Sequence, residues 1–112
     1  MTKQTSLSDI VQLFETHAPS ALQENYDNSG LQTGDPGQAV TSVLVTIDVT
    51  EEVLGEALHM GANLIVSHHP LIFGGLKRIT GGTPAERILI KAIRNQIAIL
   101  SVHTNLDNVI GG

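Results

Sequence analysis

Val43-Leu44-Val45-Thr46-Ile47, followed by Thr50-Glu51-Glu52 and then by Leu64-Ile65-Val66-Ser67-His68-His69-Pro70, decides the fold of this chain. The first run is apolar and β-branched, which suits a strand. Thr50 can cap a helix, and Glu51 and Glu52 suit its positive end. Val53, Leu54, Ala57 and Leu58 recur at helical spacing, Gly61 closes the helix, and Leu64-Ile65-Val66 makes a second strand. The unit then repeats. Thr83-Pro84-Ala85-Glu86 combines a capping box with proline at the first helical position, Ile88, Leu89, Ala92 and Ile93 repeat the stripe, and a third strand runs from Ile97 to Val102. The pattern predicts strands near 43–47, 64–67 and 97–102, with helices near 51–60 and 84–95.

Alternating strands and helices, with strands almost wholly apolar, describe an α/β fold: a parallel β-sheet with helices on both faces. Upstream, Ser6 can cap a first helix carrying Leu7, Ile10, Val11 and Phe14 on one side and ending before Pro19. The stretch 25–37 is dense in Asn, Asp, Ser, Gly and Pro, and its chemistry predicts a turn region.

In such a sheet ligands bind where the carboxyl ends of the strands meet one edge. Asp48, the His68-His69 pair and the segment Ser101-Val102-His103-Thr104-Asn105-Leu106-Asp107 each follow a strand end. Twice an apolar run ends in a small hydroxyl residue and then delivers imidazoles. On an extended backbone adjacent side chains point to opposite sides, and Pro70 keeps His69 extended. One metal ion would have trouble taking both histidines, whereas two neighbouring ions could take one each, with Asp107 suited to bridge them. The competing reading is that these are polar residues in exposed loops; their clustering at two strand ends favours a site. Asp48 has two readings as well, orienting a histidine or a bound water, or capping the helix that follows.

With 112 residues the chain is a single α/β domain, 1–112, and 41% hydrophobic content supplies a modest core. The absence of cysteine excludes disulfides and thiolate zinc sites, so a metal here is held by nitrogen and oxygen. A net charge of −5 with six Lys plus Arg argues against a nucleic-acid surface. The aromatics Phe14, Tyr26 and Phe73 are too few for a base-stacking platform. No apolar run approaches a membrane span and the polar start is unlike a secretion signal, so a cytoplasmic location is expected. Lys77-Arg78, the one adjacent basic pair, reads first as a solvated loop tip and second as a contact for a phosphate-bearing substrate. The glycines of the loop between His68 and Thr83 lack the spacing of a nucleotide-binding loop.

Tyr26-Asp27-Asn28-Ser29-Gly30-Leu31-Gln32-Thr33-Gly34, Ser67-His68-His69-Pro70-Leu71-Ile72-Phe73 and His103-Thr104-Asn105-Leu106-Asp107, in that order, resemble the amino-terminal half of the Ngg-interacting-factor-three-like family, whose members are often labelled GTP cyclohydrolase I type 2 homologues. The resemblance implies a dinuclear centre of two divalent metal ions, Zn, Mn or Fe, in a two-part α/β fold, and ring-shaped homo-hexamers built from dimers. It implies that His68, His69 and Asp107 are metal ligands, and that His103 stands close to the metals as a proton-transfer or supporting group. It also puts Asp27 and Asn28 near the site. Family members are roughly twice this length or more and add a histidine and a glutamate from a carboxyl-terminal His-x-x-x-Glu segment. This chain has no histidine after His103 and no acid after Asp107, so it is expected to be a truncated form with weak or partial metal binding.

Two classes of function follow. One is a divalent-metal-dependent hydrolase, GTP cyclohydrolase I type 2-like, acting on a nucleotide or related small molecule. The alternative is a metal-binding regulatory or protein-interaction protein without catalysis.

Overall fold

The computed structural model describes residues 5–17, 30–71 and 76–102. Seven elements follow in order: α1 (Leu7–His17), β1 (Gly30–Thr33), β2 (Val43–Thr46), α2 (Glu51–Met60), β3 (Leu64–Ser67), α3 (Pro84–Arg94) and β4 (Ala98–Ser101). They form a four-stranded sheet in the order β1-β4-β3-β2. β2, β3 and β4 are parallel, as the apolar runs predict, with Val43 opposite Leu64 and Leu64 opposite Ala98.

β1 corrects the reading of 25–37 as turn throughout. Gly30–Thr33 is an edge strand, antiparallel to β4, with Gly30 opposite Ser101 and Leu31 opposite Leu100. Four residues that start at Gly30 and end against Gly34 carry too little period-two signal to betray a strand, and it exists through pairing with β4. Gly34, at φ 138°, ends it where the backbone passes close to its neighbours. A Cβ there would lie 2.6 Å from the Cβ of Ala98 and 2.9 Å from Cδ2 of Leu7, so only glycine fits.

The helix starts use the predicted chemistry. Ser6 and Asp9 cap α1 reciprocally: the Asp9 N–H donates to Ser6 Oγ (3.2 Å) and the Ser6 N–H to Asp9 Oδ2 (3.1 Å). Thr50 caps α2 by accepting from the Val53 N–H at 3.1 Å, and Gly61 ends it in the left-handed conformation at φ 76°. Thr83 caps α3 with Pro84 in its first turn.

Alternation along β3 and β4 splits the core into two layers. Leu64, Val66, Ala98 and Leu100 pack with Leu7 and Phe14 of α1. Ile65, Ile97 and Ile99 pack on the other face with Leu54 and Ala57 of α2 and Ile88 and Ala92 of α3. Helices therefore lie on both faces, covering β3 and β4 on each side, while Val43 and Val45 on one face of the edge strand β2 stay exposed. Fully buried residues such as Leu64, Ile65 and Ile99 each contribute about 1.5–3 kcal/mol relative to exposure. Ile93, expected in the α3 stripe, is 56% exposed; the helix buries Ile88, Leu89 and Ala92, and Ile93 falls past the edge of that arc.

Candidate metal centre at the carboxyl edge of the sheet

The carboxyl ends of β2 and β3 are held together beyond their last paired residues. The His68 N–H donates to the Thr46 carbonyl (3.2 Å) and the His69 N–H to the Ile47 carbonyl (2.9 Å). Each strand also closes with the same short turn. Thr46 Oγ1 donates to the carbonyl of Asp48 at 3.0 Å, and Ser67 Oγ donates to the carbonyl of His69 at 2.8 Å. Thr46 and Ser67 are register partners, so two matched turns start side by side and deliver Asp48 and His69 to the same place.

There His69 Nδ1 meets Asp48 Oδ1 at 2.7 Å. An ionised carboxylate only accepts, so in the neutral imidazole the proton sits on Nδ1 and the lone pair on Nε2. This is how outer carboxylates fix metal-binding histidines. The side chains are 43% and 61% exposed, so the contact contributes orientation more than stability. It also decides between the two readings of Asp48, since Thr50 and not Asp48 caps α2.

The rings of His68 and His69 have centroids 4.8 Å apart, tilted by 53°. The expectation that they point to opposite sides is not met. The backbone bends at both residues, which ends strand alternation and brings the imidazoles together. A divalent cation fits this donor set in kind: two half-buried imidazoles, one oriented by a carboxylate. Among the described residues, no three His, Cys, Asp or Glu side chains cluster closely enough to hold an ion. The other expected groups, His103, Asp107, Asp27 and Asn28, lie outside the described residues.

The loop entering α3 borders the same edge, because α3 starts where the parallel strands end. Its last residues are stapled by Glu86, whose carboxylate accepts from the Thr80 N–H (2.9 Å), the Thr83 hydroxyl (2.9 Å), the Thr80 hydroxyl (3.3 Å) and the Gly82 N–H (3.4 Å). The Thr80 N–H first, and the Thr83 hydroxyl next, hold the Glu86 carboxyl below its ordinary pKa, against the opposing effect of burial. Arg87 Nε reaches Glu51 Oε1 at 3.1 Å and ties the start of α3 to the start of α2. Lys77 and Arg78 are exposed in this loop.

A cavity of about 590 Å³ lies at the opposite edge, lined by Gly34, Asp35, Gln38, Asn63, Asn95 and Gln96 among others. Its polar side chains brace the fold: Asn63 accepts from the Thr41 N–H and donates to the Ala39 carbonyl, and Gln38 donates to the Gln96 carbonyl. The chemistry-bearing groups are at the histidine edge, not here. Sequence reasoning singled out that edge and the small hydroxyl residues Ser67 and Ser101 at two of its strand ends, but missed their alignment with Thr46 and the turns that Thr46 and Ser67 close.

Among the described residues, no helix is long and apolar enough to cross a membrane. A protein from Clostridium perfringens named GTP cyclohydrolase 1 type 2 homolog is 46% identical over 106 residues, covering 95% of this chain and 40% of that protein. A Bacillus subtilis protein of the same name is 41% identical over 112 residues, covering all of this chain and 30% of its own length. The chain thus spans well under half the length of these relatives. A crystal structure of a Staphylococcus aureus protein superposes with a TM-score of 0.88 at 38% identity, covering 96% of this chain and 30% of that one. The model of one family, Duf34/NIF3 (NGG1p interacting factor 3), matches residues 5–112, and the chain belongs to that family.

Proposed function

We propose that this chain forms the amino-terminal part of a divalent-metal-dependent hydrolase with a dinuclear site, acting on a nucleotide or related small molecule. The observation that carries the reading is the 2.7 Å contact between Asp48 and His69 at the carboxyl edge, beside the His68 ring. His68, His69 and Asp107 are the residues that would hold the cations. Two ions at this edge would supply Lewis acidity and bring the pKa of water towards neutrality. Asp48 fixes the His69 tautomer so that Nε2 presents its lone pair. His103, four residues before Asp107, is suited to carry a proton near neutral pH.

The nucleotide class comes from the name GTP cyclohydrolase 1 type 2 homolog carried by the relatives. The exposed cations Lys77 and Arg78 on the bordering loop are compatible with a phosphorylated substrate. Assembly into a homo-oligomer belongs to the same proposal, as does a set of ligands completed outside this stretch of chain.

The test is metal analysis of the purified protein, together with a turnover screen of nucleotides and phosphoesters with added Mn²⁺ or Zn²⁺. Product formed only with metal, and lost in His68→Ala and His69→Ala, is the expected result. Metal retained without turnover of any substrate would favour a binding or regulatory protein.

A further inference from the structure

Thr46, Ser67 and Ser101 lie side by side across the carboxyl edge, because β2, β3 and β4 run parallel in one register. Two of the three hydroxyls are used: Thr46 donates to the Asp48 carbonyl and Ser67 to the His69 carbonyl. Ser101 is different. It is 1% exposed, and among the described residues its Oγ has no hydrogen-bond partner. Among the described residues no other buried side-chain nitrogen or oxygen is left so.

A buried hydroxyl without a partner is costly and calls for a reason, whereas alanine in the same place would leave nothing unsatisfied. Alternation shows where the hydroxyl points. Ala98 and Leu100 face α1 and Ile97 and Ile99 face α2 and α3, so Ser101 faces α2 and α3, level with Ser67 and at the carboxyl limit of that layer. Below it are the side chains of Ile65 and Ile99, which offer no polar atom. Among the described residues, the polar groups on its level are those of the edge where Ser67 delivers His69.

We propose that Ser101 Oγ is a positioning group for the candidate metal centre, hydrogen-bonding to a water in the coordination shell of a cation bound at His68 and His69. This rests on the metal reading above. The hydroxyl is kept at a cost to the ligand-free fold because the bound state satisfies it, a stability-for-function exchange at one atom.

The experiment measures thermal unfolding of wild type, Ser101→Ala and Ser67→Ala, each alone and titrated with Zn²⁺ or Mn²⁺ to millimolar concentration. Ser101→Ala is expected to melt at or above the wild-type temperature without metal, yet to need about 10–100-fold more metal for the same upward shift, as for other groups supporting a metal ligand from outside. Ser67→Ala, which removes a satisfied hydrogen bond, is expected to melt below wild type without metal. Ser101→Thr, which keeps the hydroxyl, should retain more of the metal response than the alanine variant. An unchanged metal response in Ser101→Ala, with wild type responding, overturns the role of Ser101 and leaves the metal reading standing. No metal response in wild type overturns both. A metal-free loss in Ser101→Ala equal to that in Ser67→Ala means the hydroxyl merely closes a third turn, and also overturns the proposal.

Discussion

Asp48 and His69 are 21 residues apart in sequence, yet Oδ1 and Nδ1 meet at 2.7 Å because two register-matched strands end in the same hydroxyl-closed turn. The contact joins the turns that follow β2 and β3, so the placement of the imidazole depends on the register of the two strands.

Replacing Asp48 should separate orientation from stability. Asp48→Ala is expected to weaken binding of Zn²⁺ or Mn²⁺ by about 10–100-fold, and to change metal-free stability by no more than about 1 kcal/mol, because the pair is exposed. Calorimetric titration and urea unfolding read the two effects. Unchanged affinity with a clear loss of stability would reduce the contact to a brace between turns.

Asp107 and His103 are expected to differ in kind. If Asp107 bridges two ions as proposed, Asp107→Ala should lower metal stoichiometry, because losing the bridge would loosen both. His103→Ala should leave stoichiometry intact and weaken affinity by about 10–100-fold at most. Elemental analysis of the two variants decides it; equal loss of metal would make His103 a ligand.

Two isoleucines test the packing. Ile99, on β4, is fully buried beside Ile65 and under α2 and α3, so Ile99→Ala should cost about 2–5 kcal/mol. Ile93 is 56% exposed, and Ile93→Ala should fall within about 0.5 kcal/mol of wild type. Denaturant midpoints compared at equal slope check both.

The Glu86 staple predicts an acid-sensitive loop. Its folded carboxyl titrates below the ordinary value of 4.5, so the unfolded chain takes up the proton first as pH falls. The stabilisation is complete above that value and is lost as pH drops through the depressed folded pKa. Glu86→Gln should lower the melting temperature at neutral pH and flatten the decline below pH 4.5. A parallel decline in both proteins would show that other carboxylates govern acid unfolding.

The parallel core of this fold was legible because each of its signals is local. Thr50 and Thr83 mark helix starts, Gly61 marks a stop, and the runs at Leu64 and Ile97 are too apolar for an exposed position. β1 was not legible, since Gly30–Thr33 is a strand only by virtue of residues some 70 positions on. The site was half legible. The placement of His68, His69 and Asp48 at one edge follows from sheet topology, but strand alternation predicted opposite-facing imidazoles and could not foresee the bend that joins them. The isolation of Ser101 Oγ was hidden for a similar reason: hydrogen-bond satisfaction is decided by three-dimensional neighbours, and Ser67 and Ser101 look alike in sequence.

The antiparallel pairing of β1 with β4 has a consequence for how the protein is made. β2, α2, β3, α3 and β4 can assemble in the order of synthesis, each strand beside the one before it. β1 cannot, because its partners Leu100 and Ser101 emerge from the ribosome long after it does, and α1 needs Ala98 and Leu100 for its own burial. Such non-local closure is slow and leaves apolar surface open while it waits. The first strand translated is thus the last to be paired, and a nascent chain stalled short of β4 would carry Leu7, Phe14 and Leu31 with much of their covering surface not yet made, a natural target for a chaperone or a protease.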